Sequence, residues 1–412
     1  MAAGKKIACS VVAAFLFCLA LATGVAAHGR GNLGAPEIAG PGETIFNVLK
    51  YGAKPDGKKD STEAFMDAWR EACQFNGKAR LVIPEGTFQL GQITFSGPCS
   101  GPSPMIVQVI GTLKAIPDVS EYPTPEWVTF ISITGLRVIG RGTFDGQGSA
   151  AWQYNDCHHN ADCQLPPTSI KFSKITDGLI RGISSINSMA FHMSIVNCHN
   201  FRVQRLRITA PKDSPNTDGI HVSDSSFVRI GQTTIATGDD CISIGKGATS
   251  ISINKVVCGP GHGISVGSLG KYENEKDVRS IVVKNCTLTG TENGIRIKTW
   301  PGSPPSQAVG LFFQDIIMND VKNPILIDQD YCPSSCKSKP SQVKISHVHY
   351  RNIRGTSTSP VAVQLKCSQL FPCQNVNFFN IDLKLSSKLP TTAVCLNAQT
   401  DFFGIQIPPR CP

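Results

Sequence analysis

The sequence predicts an all-β protein, a right-handed parallel β-helix (a solenoid) with an N-terminal capping helix. Two interleaved patterns support this class: a four-point apolar repeat that recurs from residue 201 onward, and a short strand that recurs between its copies. Both patterns have strand periodicity, and neither has a helical period. Units of this size cannot bury an apolar face alone, so they must stack into one continuous core.

The four-point repeat places apolar residues at relative positions 1, 3, 6 and 8. Its first copy consists of Phe201, Val203, Leu206 and Ile208. Further copies follow at intervals of 23 to 33 residues and begin at Val228 (a weaker copy), Ile251, Ile281, Leu311, Val343 and Val376. This spacing leaves room for two or three short strands in each turn of a solenoid.

The interleaved strand has the form small–Ile–x–Val/Ile, in which inward apolar residues alternate with outward residues. Its five copies are residues 219–222, 241–244, 263–266, 294–297 and 324–327. A sandwich of irregular hairpins is the alternative fold. It is disfavoured because tight-turn pairs such as Asn293-Gly294 are scarce between the alternating runs.

The segment before the repeats predicts a cap for the solenoid. Residues 44–51 are predicted to form a strand, and Asp60 is predicted to cap a helix that has Glu63 at its third position. One face of this helix presents Phe65, Ala68, Trp69 and Ala72 and would cover the open first coil. We expect a single domain over residues 28–412, with the cap and first coils at about 44–115 and further coils at about 130–400.

The amino terminus predicts export. Lys5 and Lys6 precede an apolar run from Ile7 to about Ala22, and small residues end the segment at Ala27. This layout is typical of a secretory signal peptide, residues 1–27, and an uncleaved anchor is the alternative. After cleavage we expect no membrane attachment, and the formal charge falls from +9 to +7 because two lysines and no acid are removed. That charge is too small and diffuse to predict a nucleic-acid partner, whereas an acidic partner stays open.

The cysteine count fits an exported chain. Two of the 16 cysteines, Cys9 and Cys18, lie in the predicted signal peptide, and cysteines of an exported protein are expected to pair. Closeness in sequence suggests Cys73–Cys99, Cys157–Cys163, Cys241–Cys258, Cys332–Cys336, Cys367–Cys373 and Cys395–Cys411. Cys198 and Cys286 are left over, and we expect them to be buried thiols. A zinc site is the alternative, which the lack of any CxxC pair disfavours.

Three ionisable residues occupy one repeat position just before the short strand. Asp218, Asp240 and His262 are spaced by 22 and again by 22 residues, so coils of that length would stack them in one column. Asp239 lies beside Asp240, which brings three carboxylates and an imidazole to one patch. Stacked carboxylates repel, so one of them should hold its proton more tightly. The arrangement suits hydrolysis of a glycosidic bond; turn-capping aspartates and a calcium site are the alternatives.

Two cations follow on a later copy of the short strand, where Arg296 and Lys298 alternate with the apolar Ile295 and Ile297. Arg296 falls in the column of His221, Ser243 and Ser265, and Lys298 in that of Ser223, Gly245 and Gly267. The small residues would leave a groove floor beside the carboxylates. The two cations at its end would bind a substrate carboxylate; a solvated strand face is the alternative.

These motifs resemble those of the polygalacturonases, glycoside hydrolase family 28, and are most similar to the plant pollen exopolygalacturonases. The motifs are Asn216-Thr217-Asp218-Gly219, Gly238-Asp239-Asp240-Cys241, Gly261-His262-Gly263 and Arg296-Ile297-Lys298. The resemblance implies an enzyme, secreted to the extracellular cell wall, that hydrolyses the α-1,4-galacturonosyl linkages of polygalacturonate (pectin). It also implies single displacement with inversion, exo action, a monomer, and neither cofactor nor metal.

The resemblance further implies a role for each site residue. Asp239 would be the general acid, Asp218 and Asp240 would hold and activate the attacking water, and His262 would tune the proton affinity of the acid. The substrate would be bound by Asn216, Arg296, Lys298 and Tyr331. His221 stands where many fungal members have an acid, so the subsites of those members do not transfer directly to this chain.

Other readings of the same fold stay open at this point. They are an endo-acting polygalacturonase, pectate-lyase-type β-elimination, and non-catalytic binding of cell-wall polysaccharide. Loops that close one end of the groove would decide between exo and endo action, and residues 151–168 and 271–277 are the candidates. Asn285-Cys286-Thr287 is an N-glycosylation sequon, and strand phase points Asn285 outward, so we predict glycosylation there.

Overall fold

The computed structural model describes residues 40–411 except 158, 159, 161, 162, 334, 335 and 337. These residues belong to one compact unit that spans Pro36–Pro412. The predicted signal peptide, residues 1–27, lies outside the described residues. Among the described residues, no helix combines the length and the apolar character needed to cross a membrane. The fold is the predicted right-handed parallel β-helix.

The structure has one α-helix, 31 strands and four short 3-10 helices within its described part. The elements up to the middle of the chain are β1 (Glu43–Asn47), β2 (Asp56–Asp60), α1 (Thr62–Gln74), β3 (Lys78–Ile83), β4 (Thr87–Leu90), β5 (Ile93–Ser96), β6 (Met105–Val109), β7 (Thr112–Ala115), β8 (Glu126–Ile131), β9 (Leu136–Gly140), β10 (Thr143–Asp145), β11 (Thr168–Ser173), β12 (Thr176–Arg181), β13 (Ser184–Ile186), β14 (Met193–Val196), β15 (His199–Gln204) and β16 (Arg207–Thr209). The later strands are β17 (Ile220–Ser223), β18 (Arg229–Ala236), β19 (Ile242–Ile244), β20 (Thr249–Cys258), β21 (Ile264–Leu269), β22 (Val278–Lys284), β23 (Thr287–Thr289), β24 (Asn293–Thr299), β25 (Ser306–Val321), β26 (Asn323–Asp328), β27 (Val343–Ser357), β28 (Val361–Lys366), β29 (Cys373–Leu385), β30 (Thr392–Leu396) and β31 (Ala398–Ile407). The 3-10 helices are Val48–Tyr51, Val119–Glu121, Gly148–Ala150 and Trp152–Tyr154.

Each coil contributes up to three strand segments, so three parallel ladders run along the solenoid. The first two ladders belong to a 20-stranded sheet, and the third ladder is an 11-stranded sheet that runs from β5 to β30. In most coils from β18 onward, a single long strand bends from the first ladder into the second, although β22 and β23 remain separate. Strand β18, for example, pairs with both β15 and β16. At such bends one residue adopts a positive φ, as Gln232 (53°) and Lys255 (59°) do.

Inward side chains of successive coils stack into columns that form the core. In the third ladder, Ile220, Ile242, Ile264, Ile295 and Ile325 are consecutive partners, and each is at most 1% exposed. The first ladder contains an aromatic column in which the rings of Phe313, Tyr350 and Phe378 are stacked with centroid separations of 5.2 and 5.1 Å. The isoleucine column confirms the register predicted from the short-strand motif.

One copy of the four-point repeat was predicted in the wrong phase. Val343 pairs with Ser306, whereas Val348 pairs with Leu311, the first residue of the preceding copy. The cause is the length of β27. Buried residues alternate with other residues on both sides of Val348, so a copy that starts at Val343 and a copy that starts at Val348 both fit the apolar pattern. The next copy begins at Val376, pairs with Val348 and has the predicted phase.

Helix α1 covers the first coil, as predicted. Its buried face contains Phe65, Ala68, Trp69 and Ala72. The ring of Trp69 lies 5.0 Å from that of Phe95 on β5, so the helix occupies the place that a third-ladder strand takes in later coils. Burial of this face stabilises the end of the solenoid by removing apolar surface from water.

Two details of the cap differ from the prediction. Ser61 rather than Asp60 occupies the N-cap, although the Asp60 side chain still accepts the Thr62 N–H at 2.9 Å. The predicted strand over residues 44–51 ends at Asn47. The Asn47 side chain accepts the Leu49 N–H at 3.0 Å, which turns the chain into a 3-10 helix. In both places a side-chain acceptor competes with the regular backbone pattern.

The cysteine predictions are confirmed. The six disulfides are Cys73–Cys99, Cys157–Cys163, Cys241–Cys258, Cys332–Cys336, Cys367–Cys373 and Cys395–Cys411. Cys198 and Cys286 are free thiols and are buried in the core. Cys241–Cys258 joins the turn before β19 to the end of β20, which ties two neighbouring coils together at the corner described next.

Candidate active site

The predicted catalytic residues lie on turns that connect the second ladder to the third. These turns are residues 210–219, 237–241, 259–263 and 290–292. Because Ile220 pairs with Ile242 and Ile242 with Ile264, the turns stack at one corner of successive coils. The structure therefore brings together Asp218, Asp239, Asp240 and His262.

Gly238 sets the position of the turn that presents two of these acids. A Cβ atom on Gly238 would lie 2.0 Å from the backbone oxygen of Ser214, so no larger residue fits without moving the backbone. The Gly238 N–H donates to the Thr217 hydroxyl at 3.0 Å, and that hydroxyl is 2.6 Å from the Ser214 hydroxyl. Close packing between adjacent turns thus fixes where Asp239 stands.

Asp239 is held by donors from three sides. Its Oδ1 accepts the Asp240 N–H at 2.7 Å and lies 3.1 Å from His262 Nδ1, while its Oδ2 faces the Asn216 side-chain amide at 3.4 Å. The Asp239 side chain is 14% exposed, against 1% for Asp240. Of these two acids, Asp239 is the one that a bound molecule can reach.

Asp240 forms a buried ion-pair cluster with both predicted substrate-binding cations. Arg296 Nη2 lies 2.7 Å from Asp240 Oδ1, and Lys298 Nζ lies 2.8 Å from Oδ2. The Ser265 hydroxyl donates to Oδ1 at 2.7 Å and accepts from Arg296 Nε at 3.0 Å. The cations are therefore anchored to an acid of the site rather than standing unpaired at the groove end. Such pairing satisfies charges that are costly to bury alone.

The proton affinities of the two remaining acids differ. Burial, followed by the negative charges of Asp239 and Asp240, raises the pKa of Asp218 well above its usual range. Burial also acts to raise the pKa of Asp239, but the His262 hydrogen bond and the positive charges of His262, Lys298 and Arg296 outweigh it and hold that pKa below its usual value. Of these two acids, Asp218 therefore holds a proton more tightly in the free site.

His262 lies between two carboxylates. Its Nδ1 faces Asp239 at 3.1 Å, and its Nε2 faces Glu292 Oε2 at 3.4 Å. Burial disfavours the imidazolium, but the hydrogen bond to Asp239 and the negative charges of Asp239, Asp240 and Glu292 outweigh this effect and raise the pKa of His262. The imidazolium in turn favours the ionised form of Asp239.

We expect the His262–Asp239 contact to make stability depend on pH. The unfolded pKa of histidine is about 6.5, and the folded pKa of His262 is higher. Its contribution should therefore be complete below about pH 6.5 and should be lost as the pH rises through the folded value. The wild-type free energy of unfolding minus that of His262→Gln, measured by urea titration from about pH 5 to about pH 9, should shrink with rising pH. A difference that stays constant with pH would contradict the expectation.

The other predicted binding residues also face this corner. A cavity of about 410 Å³ extends from the acids along the third ladder and is lined by residues that include Asn216, Lys298 and Tyr331. The Tyr331 ring lies under Lys298 Nζ at 5.0 Å and under the Arg296 guanidinium at 5.8 Å. Burial raises the pKa of Tyr331, so its hydroxyl stays protonated although both cations act in the other direction. The cavity is the groove that the sequence predicted beside the acids.

His221 lines the same groove as a neutral imidazole. Burial, with a smaller contribution from the charge of Lys298, lowers the pKa of His221 to about 4. Its Nδ1 lies 2.9 Å from the Ser243 hydroxyl on the next coil, as expected from their shared column. A neutral ring here offers a hydrogen-bonding nitrogen without adding charge to the groove.

The donor atoms of this corner do not suit a calcium ion. Asp239, Asp240 and His262 place one ligand atom each within 4.8 Å of one another. However, each oxygen of Asp240 already faces a cation, Arg296 or Lys298, at 2.8 Å or less. A calcium ion would meet these two positive charges at short range, and imidazole is a poor calcium ligand.

Several polar contacts of the site do not follow from the predicted columns. Glu292 faces His262, and the hydroxyl groups of Ser243 and Ser265 bind His221 and Asp240, whereas the sequence predicts these serines only as small groove-floor residues. A signal for Glu292 was present in the sequence. Glu292 precedes Ile295 by three residues, as Asp239 precedes Ile242, so the same column count would have placed it at this corner.

The sequon residue Asn285 lies at a different corner, between the first and second ladders. It is exposed, has a φ of 54°, and donates its side-chain amide to Asn254 Oδ1 at 2.9 Å. Its outward position leaves glycosylation at this residue as a prediction.

Comparison with known proteins agrees with the motifs. The family model of the glycosyl hydrolases family 28 matches residues 73–403. An exopolygalacturonase of Platanus acerifolia is 46% identical over 89% of this chain and 97% of its own length, and one of Arabidopsis thaliana is 44% identical over 98% and 95%. The solved structure of a hyperthermoactive exopolygalacturonase from Thermotoga maritima covers 89% of this chain and 91% of its own, with a TM-score of 0.71 at 19% identity, a likeness of fold. The chain thus belongs to the glycosyl hydrolases family 28 and is a glycosidase.

Proposed function

We propose that this glycosidase hydrolyses the α-1,4-galacturonosyl linkages of polygalacturonate from a chain end, by single displacement with inversion. The observation that supports this most directly is the stack of Asp218, Asp239 and Asp240 beside the buried pair Arg296 and Lys298. An acidic polysaccharide offers a carboxylate on each sugar for these cations, and the acids can act on the adjacent linkage. Relatives named exopolygalacturonase support action from the chain end.

In this proposal Asp239 protonates the leaving glycosidic oxygen, and Asp218 with Asp240 orients and deprotonates the attacking water. Asp239 has to hold a proton when it acts, yet in the free site its pKa is low. Lys298 and Arg296 are among the groups that lower it. A substrate carboxylate that binds these cations offsets their charge, so substrate binding itself raises the pKa of Asp239 and favours its protonated form.

Arg296 and Lys298 can bind this carboxylate while they remain paired with Asp240. A guanidinium has five N–H donors and an ammonium three. Nε and Nη2 of Arg296 and one Lys298 donor are engaged by Ser265 and Asp240. The remaining donors are available to substrate, and Asn216 and Tyr331 complete the binding surface at the groove. His262 holds the acid in place through the contact at 3.1 Å.

The cellular setting follows from the same proposal. Six disulfides favour an oxidising compartment, and we place the mature protein in the extracellular cell wall after removal of residues 1–27. Its partner there is the acidic polysaccharide itself. We propose that residues 28–412 form a single catalytic domain and that the protein acts as a monomer.

The first products identify the reaction. With de-esterified polygalacturonate we expect galacturonate monomer alone at the earliest times, released as the β-anomer because an α-linkage is inverted. Chromatography of early products and ¹H NMR during the first turnovers measure both. Mixed oligomers would contradict exo action, an initial α-anomer would contradict inversion, and an unsaturated product that absorbs in the ultraviolet would indicate β-elimination instead of hydrolysis.

A further inference from the structure

A second lysine lines the groove, on a loop outside the motifs described above. Lys271 and Tyr272 lie on the segment between β21 and β22, and both contribute to the cavity that contains Asp239 and Lys298. Both side chains are exposed, with 57% exposure for Tyr272. The loop thus presents a cation and an aromatic ring to whatever occupies the groove.

The loop is held in place by a buried acid. Glu275 is 9% exposed, and its two carboxylate oxygens accept the backbone N–H groups of Gly270 at 2.7 Å and Tyr272 at 2.9 Å. These two hydrogen bonds close the turn on both sides of Lys271. Lys271 is therefore presented from a fixed backbone position, which lowers the entropy cost of binding a ligand there.

Lys271 is free to bind an anion. Arg296 and Lys298 are both paired with Asp240. For Lys271, by contrast, no carboxylate of the described chain lies within ion-pair distance; its neighbours are the rings of Tyr272 at 5.6 Å and Trp300 at 5.3 Å. Aromatic faces attract an ammonium group without neutralising its charge, so it can still attract a carboxylate.

Lys271 and Lys298 are linked by aromatic contacts. Lys298 lies over the ring of Tyr331, Tyr331 packs edge-on against Trp300 at 5.9 Å, and Lys271 lies over Trp300. Two rings thus connect two cations along the groove. A chain of acidic sugars has the matching pattern, with a carboxylate on each unit and an apolar ring face that packs on aromatic side chains.

We propose that Lys271, with Tyr272 and Trp300, forms a subsite for the carboxylate of a second galacturonate unit of the bound chain. This inference rests on the proposed function, since it assigns a further position on the same substrate. Lys271 binds and positions that unit and takes no part in proton transfer.

Substitution of Lys271 by Met tests the subsite. We expect the KM for short oligogalacturonates to rise about fivefold, the size of one partly exposed charge pair, with most of the effect in KM rather than kcat. The increase should be smaller at high salt, where screening already weakens the wild-type contact, and Lys271→Arg should retain most of the affinity. The matched control is Lys344→Met, which removes a lysine over the ring of Phe371 away from the groove and should leave KM unchanged.

Direct binding separates this proposal from the proposed function. Titration of oligogalacturonate into Asp239→Asn and into Asp239→Asn/Lys271→Met measures affinity without turnover, and we expect about fivefold weaker binding by the double variant. If the wild type hydrolyses galacturonan but the two variants bind oligogalacturonate with equal affinity, the subsite is contradicted and the proposed function is not. If the wild type hydrolyses no galacturonan, the proposed function is contradicted. In that case weaker binding by the double variant would still support the subsite as a binding position, and equal affinities would contradict it.

Discussion

Replacing Asp239 with Asn is expected to lower kcat on polygalacturonate by about 10³-fold or more, while the fold stays intact. The amide keeps the size of the side chain and its place among the Asp240 N–H, His262 and Asn216, but it cannot deliver a proton to the leaving oxygen. Release of reducing ends measures the activity, and circular dichroism with thermal unfolding checks the fold.

The control for this variant is Asp315→Asn. Asp315 accepts the Asn352 amide at 2.8 Å at the corner between the first and second ladders, so it tests the same chemical change outside the groove. It should retain wild-type activity. Activity of Asp239→Asn within about tenfold of wild type would contradict its role as the acid.

Replacing Asp240 with Ala is expected to lower the free energy of unfolding by about 3 kcal/mol or more. Asp240 compensates two buried cations, and without it Arg296 and Lys298 would stay in the interior with no opposite charge at hydrogen-bond distance in the described chain. Urea titration measures the loss. The matched control is Glu85→Ala, which breaks an ion pair with Arg141 in which the Glu85 side chain is 80% exposed, and there we expect less than about 1 kcal/mol.

A double variant distinguishes unpaired charge from lost packing. Adding Lys298→Met to Asp240→Ala removes one of the two stranded cations and keeps a side chain of similar length. Part of the lost free energy should return. A double variant no more stable than Asp240→Ala would show that lost packing, and not stranded charge, explains the effect.

The positions of the site residues could be predicted from the sequence because neighbouring coils have equal length there. The 22-residue spacing of Asp218, Asp240 and His262 places them at one corner only if each coil adds the same number of residues, and the pairing of Ile220, Ile242 and Ile264 shows that it does. Where a long strand fits the apolar pattern in two phases, the same reasoning fails. At β27 the repeat copy predicted at Val343 was five residues out of phase.

The contacts within the site could not be predicted in the same way. A column count places Arg296 and Lys298 above the groove floor, but which acid they pair with depends on side-chain rotamers that bring both to Asp240. The N-cap of α1 is a similar case, because Asp60 and Ser61 are both good capping residues and the backbone decides between them. Sequence periodicity thus predicts which residues meet, whereas the partner of each charge is set by local geometry.

The two unpaired cysteines among the described residues, Cys198 and Cys286, have a consequence for how the disulfide framework is preserved. Burial raises the pKa of Cys198 and of Cys286 to about 11, so at neutral pH roughly one molecule in 10⁴ has either sulfur in the nucleophilic form. Disulfide exchange proceeds by attack of a thiolate on a sulfur–sulfur bond. Once the coils have closed over these two thiols, residues 40–411, as far as the structure describes them, offer almost no thiolate to reshuffle the six bridges, and the finished solenoid keeps the pairing that it had when it closed.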